Sequence, residues 1–332
     1  MQIVRRLQPI FIGVAILLLV MLVWSQWQEL SQHEWRLQPG WLSVSAVALA
    51  AAWAVEIFVW RRLLSLVGGQ LGYWSAARIW FLSAVVRYIP GNIWQPLSMT
   101  LLCQQRGVAP EATLTSIILY QISILLAAAP IGAVYFATTG NWGLLVSMQQ
   151  VGNWLVAISL IPLAIFMIRP SWMIEVINWL LSKFHRPSLR ADLTRIQLLQ
   201  VMGLVIVDWM LWGAAFMALA YALSAYAPAE MIRLAPHLLA TYALAYSIGF
   251  VSLITPSGIG VREGAFYVLL APIMGGAAIT VLALAMRLWT TAGELVAAGI
   301  ALLLPDRLPE QAAAHIPVAP VDEANTPHGV AQ

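Results

Sequence analysis

Residues 112–137 read ATLTSIILYQISILLAAAPIGAVYFA, 26 residues without a single charge. A helix rises ~1.5 Å per residue, so this stretch can cross the ~30 Å hydrocarbon core of a bilayer. Comparable blocks stand on either side of it: Ile10–Trp24, Trp41–Trp60, Asn153–Ile168, Leu198–Leu223, Pro236–Ile254 and Ala277–Leu304. Apolar residues make up 61% of the chain and charged residues only 9%, against roughly 25% charged in an ordinary soluble domain. So few charges cannot cover a water-facing surface of this size. Composition therefore predicts an all-α, polytopic membrane helix bundle of about seven to eight transmembrane helices, with no soluble catalytic domain.

The basic residues give the orientation, because cytoplasmic loops collect Lys and Arg. Arg5 and Arg6 precede the first block, and Ser25–Leu30 offers no small-residue cleavage site, so that block reads as an uncleaved span with its N-terminus in the cytoplasm. Arg61, Arg62, Arg78 and Arg106 mark a cytoplasmic side, as do Arg169, Lys183, Arg186, Arg190 and Arg195. The opposing stretches are nearly bare, with no charge in 138–152 and only Glu230 and Arg233 in 224–235. The expected location is the inner or plasma membrane. Trp24, Trp41, Trp60 and Trp154 fall near block ends, as an interfacial aromatic belt requires, whereas Trp53, Trp209 and Trp212 are expected to pack between helices.

Two segments are apolar enough to enter the bilayer but are broken by Pro and Gly. One runs over 79–102 and contains Arg87-Tyr-Ile-Pro90-Gly91-Asn92. The other runs over 253–274 and contains Thr255-Pro256-Ser257-Gly258-Ile-Gly260-Val-Arg262-Glu263-Gly264. Proline removes a donor and glycine favours a sharp turn, and irregular backbone at membrane depth survives only inside protein or beside a wet cavity. Both segments are read as re-entrant or broken helices. They occupy corresponding places in a two-fold repeat with halves of about 1–168 and 169–304. Counting spans gives the two halves the same orientation. Residues 305–332, rich in Pro and Ala, form a tail that is disordered by composition.

A turn that opens a half-helix presents free N–H groups, and an adjacent arginine can clamp an anion with its fork. Arg87, Pro90, Gly91, Asn92, Pro256, Ser257, Gly258, Gly260, Arg262, Glu263 and Gly264 are thus the expected site for an anionic head group. Asp208, Arg287 and Glu294 are intramembrane charges whose role as structural pairs or as a substrate or proton path is open; Arg287 and Glu294 are two turns apart on one helix face. Glu56, close to Arg61, is expected to snorkel to the cytoplasmic surface. Cys103 is the single cysteine, the five histidines lack ligand spacing, and no Walker, His-Glu-x-x-His or nucleophile-elbow pattern occurs. No metal or other cofactor is expected. Nor is nucleic acid, given a net charge of +3.

The Pro-x-Gly-x-Gly-x-Arg-Glu-Gly run at 256–264, with Arg87-Tyr-Ile-Pro-Gly91, resembles the lysylphosphatidylglycerol synthase transmembrane family. The resemblance covers roughly residues 5–304. It implies a lipid-translocating, flippase-like module for an anionic phospholipid or a polyprenyl-linked glycolipid. The cytosolic aminoacyl transferase domain of the longer members has no counterpart after Leu304, so lysyl transfer is not implied. Membrane lipids are the implied partners. The alternative is a non-transporting accessory subunit or scaffold for an envelope glycosyltransferase or lipid synthase.

Overall fold

A computed structural model describes residues 37–88, 93–140, 149–183, 193–251 and 260–303, together with Trp24. Among the described residues there is no strand. The elements are α1 (Pro39–Leu66), α2 (Tyr73–Ala84) running into a 3-10 turn (Val85–Tyr88), α3 (Trp94–Gln104), α4 (Pro110–Thr139), α5 (Gln149–Ile168) and α6 (Ser171–Lys183). They continue with α7 (Arg195–Leu223), α8 (Pro228–Val251), α9 (Val261–Met274) and α10 (Gly276–Leu303).

The boundaries follow local chemistry. Prolines open α1 and α4, where a missing N–H costs nothing. Gly140, at φ 61°, takes the left-handed conformation that closes α4. Thr194 caps α7 by accepting from Gln197 N–H, while the Gln197 side chain accepts from Thr194 N–H at 2.9 Å.

Four helices are long and apolar enough to cross a membrane: α1, α4, α7 and α10. A fifth crossing is reached if α5 and α6, bent by 101° at their junction, count as one span. The expected seven to eight spans are thus not reached among the described residues. The first block, 10–24, lies outside them apart from Trp24, and so does the 305–332 tail. The block at 236–254 belongs to α8, which starts earlier, at Pro228, and passes through Pro236. Carrying Glu230 and Arg233, α8 is not among the long apolar helices.

The central pair is α1 and α7, packed antiparallel. Gln38 N–H donates to Ala222 O (2.8 Å) and Ser45 Oγ to Ala215 O (2.7 Å), while Trp53 meets Trp212 edge to face. Gly213 lets α8 approach α7 closely, since a Cβ there would run into the Leu239 carbonyl. The start of α10 lies beside the end of α7, and the start of α4 beside the end of α1, through Trp60 Nε1 donating to Ser116 Oγ at 3.1 Å. Trp60 is fully buried by this contact and does not sit in an interfacial belt. Trp53 and Trp209 are buried between helices.

Around this frame lie two helical hairpins. The α2–α3 pair leaves and returns at the Arg61 end of α1, where Arg61 Nε donates to Leu71 O. The α8–α9 pair leaves and returns at the opposite end, where Tyr221 of α7 donates its hydroxyl to Met231 O. Each hairpin lies on the closing span of the other half of the chain: α2 on α10, and α8 on α4. The short α6 exposes Trp172, Val176 and Trp179 along one side, with Arg169 over Trp172 (5.2 Å) and Lys183 over Trp179 (5.4 Å). That is the composition of a helix resting in the head-group layer.

Candidate functional site: a charged cavity between the hairpins

Where the hairpins meet the four spans, the bundle encloses a cavity of about 410 Å³. Both broken segments contribute an arginine to it. Arg87 stands on the 3-10 turn after α2, and Arg262 in the first turn of α9. The α7 and α10 residues Asp208, Arg287 and Glu294 line the same space, as does Glu56 of α1. The walls are aromatic, with Trp60, Trp80, Trp209, Trp212, Tyr242 and Tyr246 among the lining residues.

Neither segment arginine stands alone. Arg87 Nη2 is 3.3 Å from Glu294 Oε1, across the α2–α10 contact. The Arg262 guanidinium lies over the rings of Tyr242 and Phe266, 5.9 Å from each centroid, with its Nε 3.9 Å from Glu263 Oε1. Gly249 makes room for this arrangement, because a Cβ on it would come within 3.1 Å of Arg262 Cβ.

Glu263 ties the hairpin to the bundle with both of its oxygens. Oε2 accepts from Gly260 N–H at 2.7 Å, satisfying a backbone donor at the start of α9. Oε1 accepts from Arg287 Nη1 of α10 at 2.6 Å. Gly260 itself needs its φ of +83°, which an L side chain rarely adopts. Gly264 is exposed and does not line the cavity. Pro90, Gly91, Asn92, Pro256, Ser257 and Gly258 lie outside the described residues.

Glu56 does not reach for the cytoplasmic surface. It turns into the cavity, where the Tyr120 hydroxyl donates to its Oε1 at 2.7 Å. The reason is local: α4 brings a phenol donor within reach, and a partnered carboxylate costs less than a long excursion to water. Asp208 is 3% exposed, and its Oδ1 has no hydrogen-bond partner among the described residues. Its neighbour Trp209, also on the cavity wall, donates Nε1 to Ile124 O of α4 at 2.9 Å.

Sequence reasoning did not single out Tyr120, Gln121, Tyr242 or Tyr246. Each is a polar tip on an otherwise apolar face of α4 or α8. Tyr120 and Gln121 are adjacent in the middle of the uncharged 112–137 block, which was the one available signal. The arrangement can hold an anion on arginine forks and a flat or apolar moiety against indoles, while keeping acidic groups within the same space.

No curated protein matches the chain at a significant level. The model of the lysylphosphatidylglycerol synthase TM region matches residues 10–298. That match spans both hairpins, the four long apolar helices up to Ala298 and every residue that lines the cavity, and the chain therefore belongs to this family of membrane proteins.

Proposed function

We propose that the protein is a lipid translocase, moving an amphiphile with an anionic head group, a phospholipid or a polyprenyl-linked glycolipid, across the cell membrane. The observation that carries this reading is the convergence of Arg87 and Arg262, one from each broken segment, on a single cavity in a bundle of apolar helices. Charged side chains within a membrane bundle pair with one another and also mark substrate or ion pathways, and these two come from separate half-helices.

Size supports it as well. At about 410 Å³ the cavity is above the ~300 Å³ at which ligand pockets start. That is room for a head group, and on this reading the acyl or prenyl chains stay in the bilayer. Since both arginines already touch carboxylates, an arriving phosphate replaces Glu294 on Arg87 and draws Arg262 from its neighbour. The carboxylates act as stand-ins that keep the guanidiniums compensated while the cavity is empty of lipid.

The packing favours an inverted repeat, span–hairpin–span twice over: α1, α2–α3, α4 and then α7, α8–α9, α10. Corresponding spans α1 and α7 run antiparallel, the hairpins enter from opposite ends, and the cross-half contacts match. Such repeats with broken helices at the midplane are a recurring transporter plan. On this reading the chain is not an enzyme, its N-terminus is cytoplasmic, and its partners are membrane lipids.

The test is dithionite quenching of fluorescent anionic lipids in proteoliposomes. The wild-type chain should equilibrate the probe between leaflets, and Arg87→Ala and Arg262→Ala should abolish this without loss of folded protein. A rate indistinguishable from empty liposomes across phospholipid and polyprenyl-phosphate probes would sink the translocase and leave the accessory-subunit alternative.

A further inference from the structure

The charges around the cavity do not balance. Three arginines, Arg87, Arg262 and Arg287, face four carboxylates, Glu56, Asp208, Glu263 and Glu294. Glu294 is paired with Arg87, and Glu263 with Arg287 and Arg262. The remaining two, Glu56 and Asp208, make no ion pair among the described residues; both line the same cavity, and Glu56 also lies in the field of Arg87 and Glu294. Tyr120, which lines the same cavity, donates its hydroxyl to Glu56.

We propose that Asp208 and Glu56 form a proton-binding site that holds one proton between them. A second ionised carboxylate walled by indoles at mid-span is the costly alternative, and a buried group without a counter-ion neutralises in preference to paying that cost. Asp208 Oδ1 is the acceptor left open for this proton: it is buried, it has no hydrogen-bond partner among the described residues, and its side chain lines the cavity. Binding forms one O–H bond using a proton from water that reaches the cavity, and release returns it to the aqueous phase.

The titratable and charged groups that line the cavity with Asp208 are Glu56 from α1, Arg87 from the turn after α2, Tyr120 from α4, Tyr242 and Tyr246 from α8, Arg262 from α9, and Arg287 and Glu294 from α10. The packed helix α5 contributes no Asp, Glu, Lys, Arg or His. The proton site rests on the cavity alone. Its coupling to lipid movement, in which the proton is taken up as the head group leaves, rests on the translocase reading above.

The site is read by infrared difference spectroscopy of the full chain in lipid nanodiscs, titrated over roughly pH 5–9 in potassium and in sodium buffer. The expected result is a protonated-carboxyl band that vanishes as pH rises and is missing in Asp208→Asn. Glu56→Gln should retain the band and shift its midpoint by about one pH unit or more, as for carboxyls that share a site. Should Asp208→Asn fail to insert, the Glu56→Gln shift decides. A wild-type carboxyl that stays ionised throughout, or a carboxylate band that responds to sodium and not to pH, overturns the proposal. Because no lipid is moved in this measurement, its failure is separate from failure of the dithionite assay.

Discussion

Glu263 and Arg287 offer the sharpest test of how the cavity is held together. Glu263→Gln keeps an acceptor for Gly260 N–H but removes the charge that faces Arg287, whose side chain is 10% exposed against 26% for Glu263. Hydrogen bonds to charged groups contribute about 1.5–3 kcal/mol, and breaking a fully buried pair costs about 3–5 kcal/mol. The partial exposure of Glu263 pulls the expectation toward the lower range, so the double-mutant cycle of Glu263→Gln and Arg287→Gln should give a coupling of about 2 kcal/mol. That equals roughly a 30-fold change in the unfolding equilibrium. Reversible unfolding in mixed SDS micelles, followed by the fluorescence of the tryptophans, measures each corner of the cycle. A coupling below about 0.5 kcal/mol, the worth of a solvated surface pair, would refute the view that this contact locks the α8–α9 hairpin to α10.

Other expectations follow from the same packing. Gly213→Ala should destabilise by about 1–3 kcal/mol, because its Cβ meets the Leu239 backbone, whereas Gly203→Ala on the same helix meets nothing within 4 Å and should gain up to about 1 kcal/mol from helix propensity; thermal unfolding of both variants checks the contrast. Thr194→Ala removes the capping box of α7 and should cost about 1 kcal/mol in the same assay. Arg87→Lys keeps the charge but loses the planar fork, and should slow lipid movement about tenfold while leaving the fold intact.

Class and family were legible in the chain because scarcity of charge and the 256–264 run are properties of the sequence itself. Arg87, Arg262, Asp208, Arg287 and Glu294, all singled out from the sequence, line one cavity. What periodicity could not give was the neighbour. Glu56 was assigned to the surface because Arg61 is nearby in sequence; its actual partner, Tyr120, is 64 residues away on another helix. Trp60 was assigned to a belt from its place at a block end, yet α4 covers it with Ser116. The 236–254 block was read as an apolar stretch starting at Pro236, but α8 begins at Pro228 and runs through the later proline.

The packing of each hairpin on the other half also dictates an order of assembly. Arg87 is made early, but its carboxylate partner Glu294 is on the last helix, about 200 residues later. At about 5–20 residues per second, translation separates the two residues by roughly 10–40 s. Until α10 arrives, α2 has no span to lie against and the cavity has no fourth wall. The arrival of α10 is the step that completes the cavity wall among the described helices.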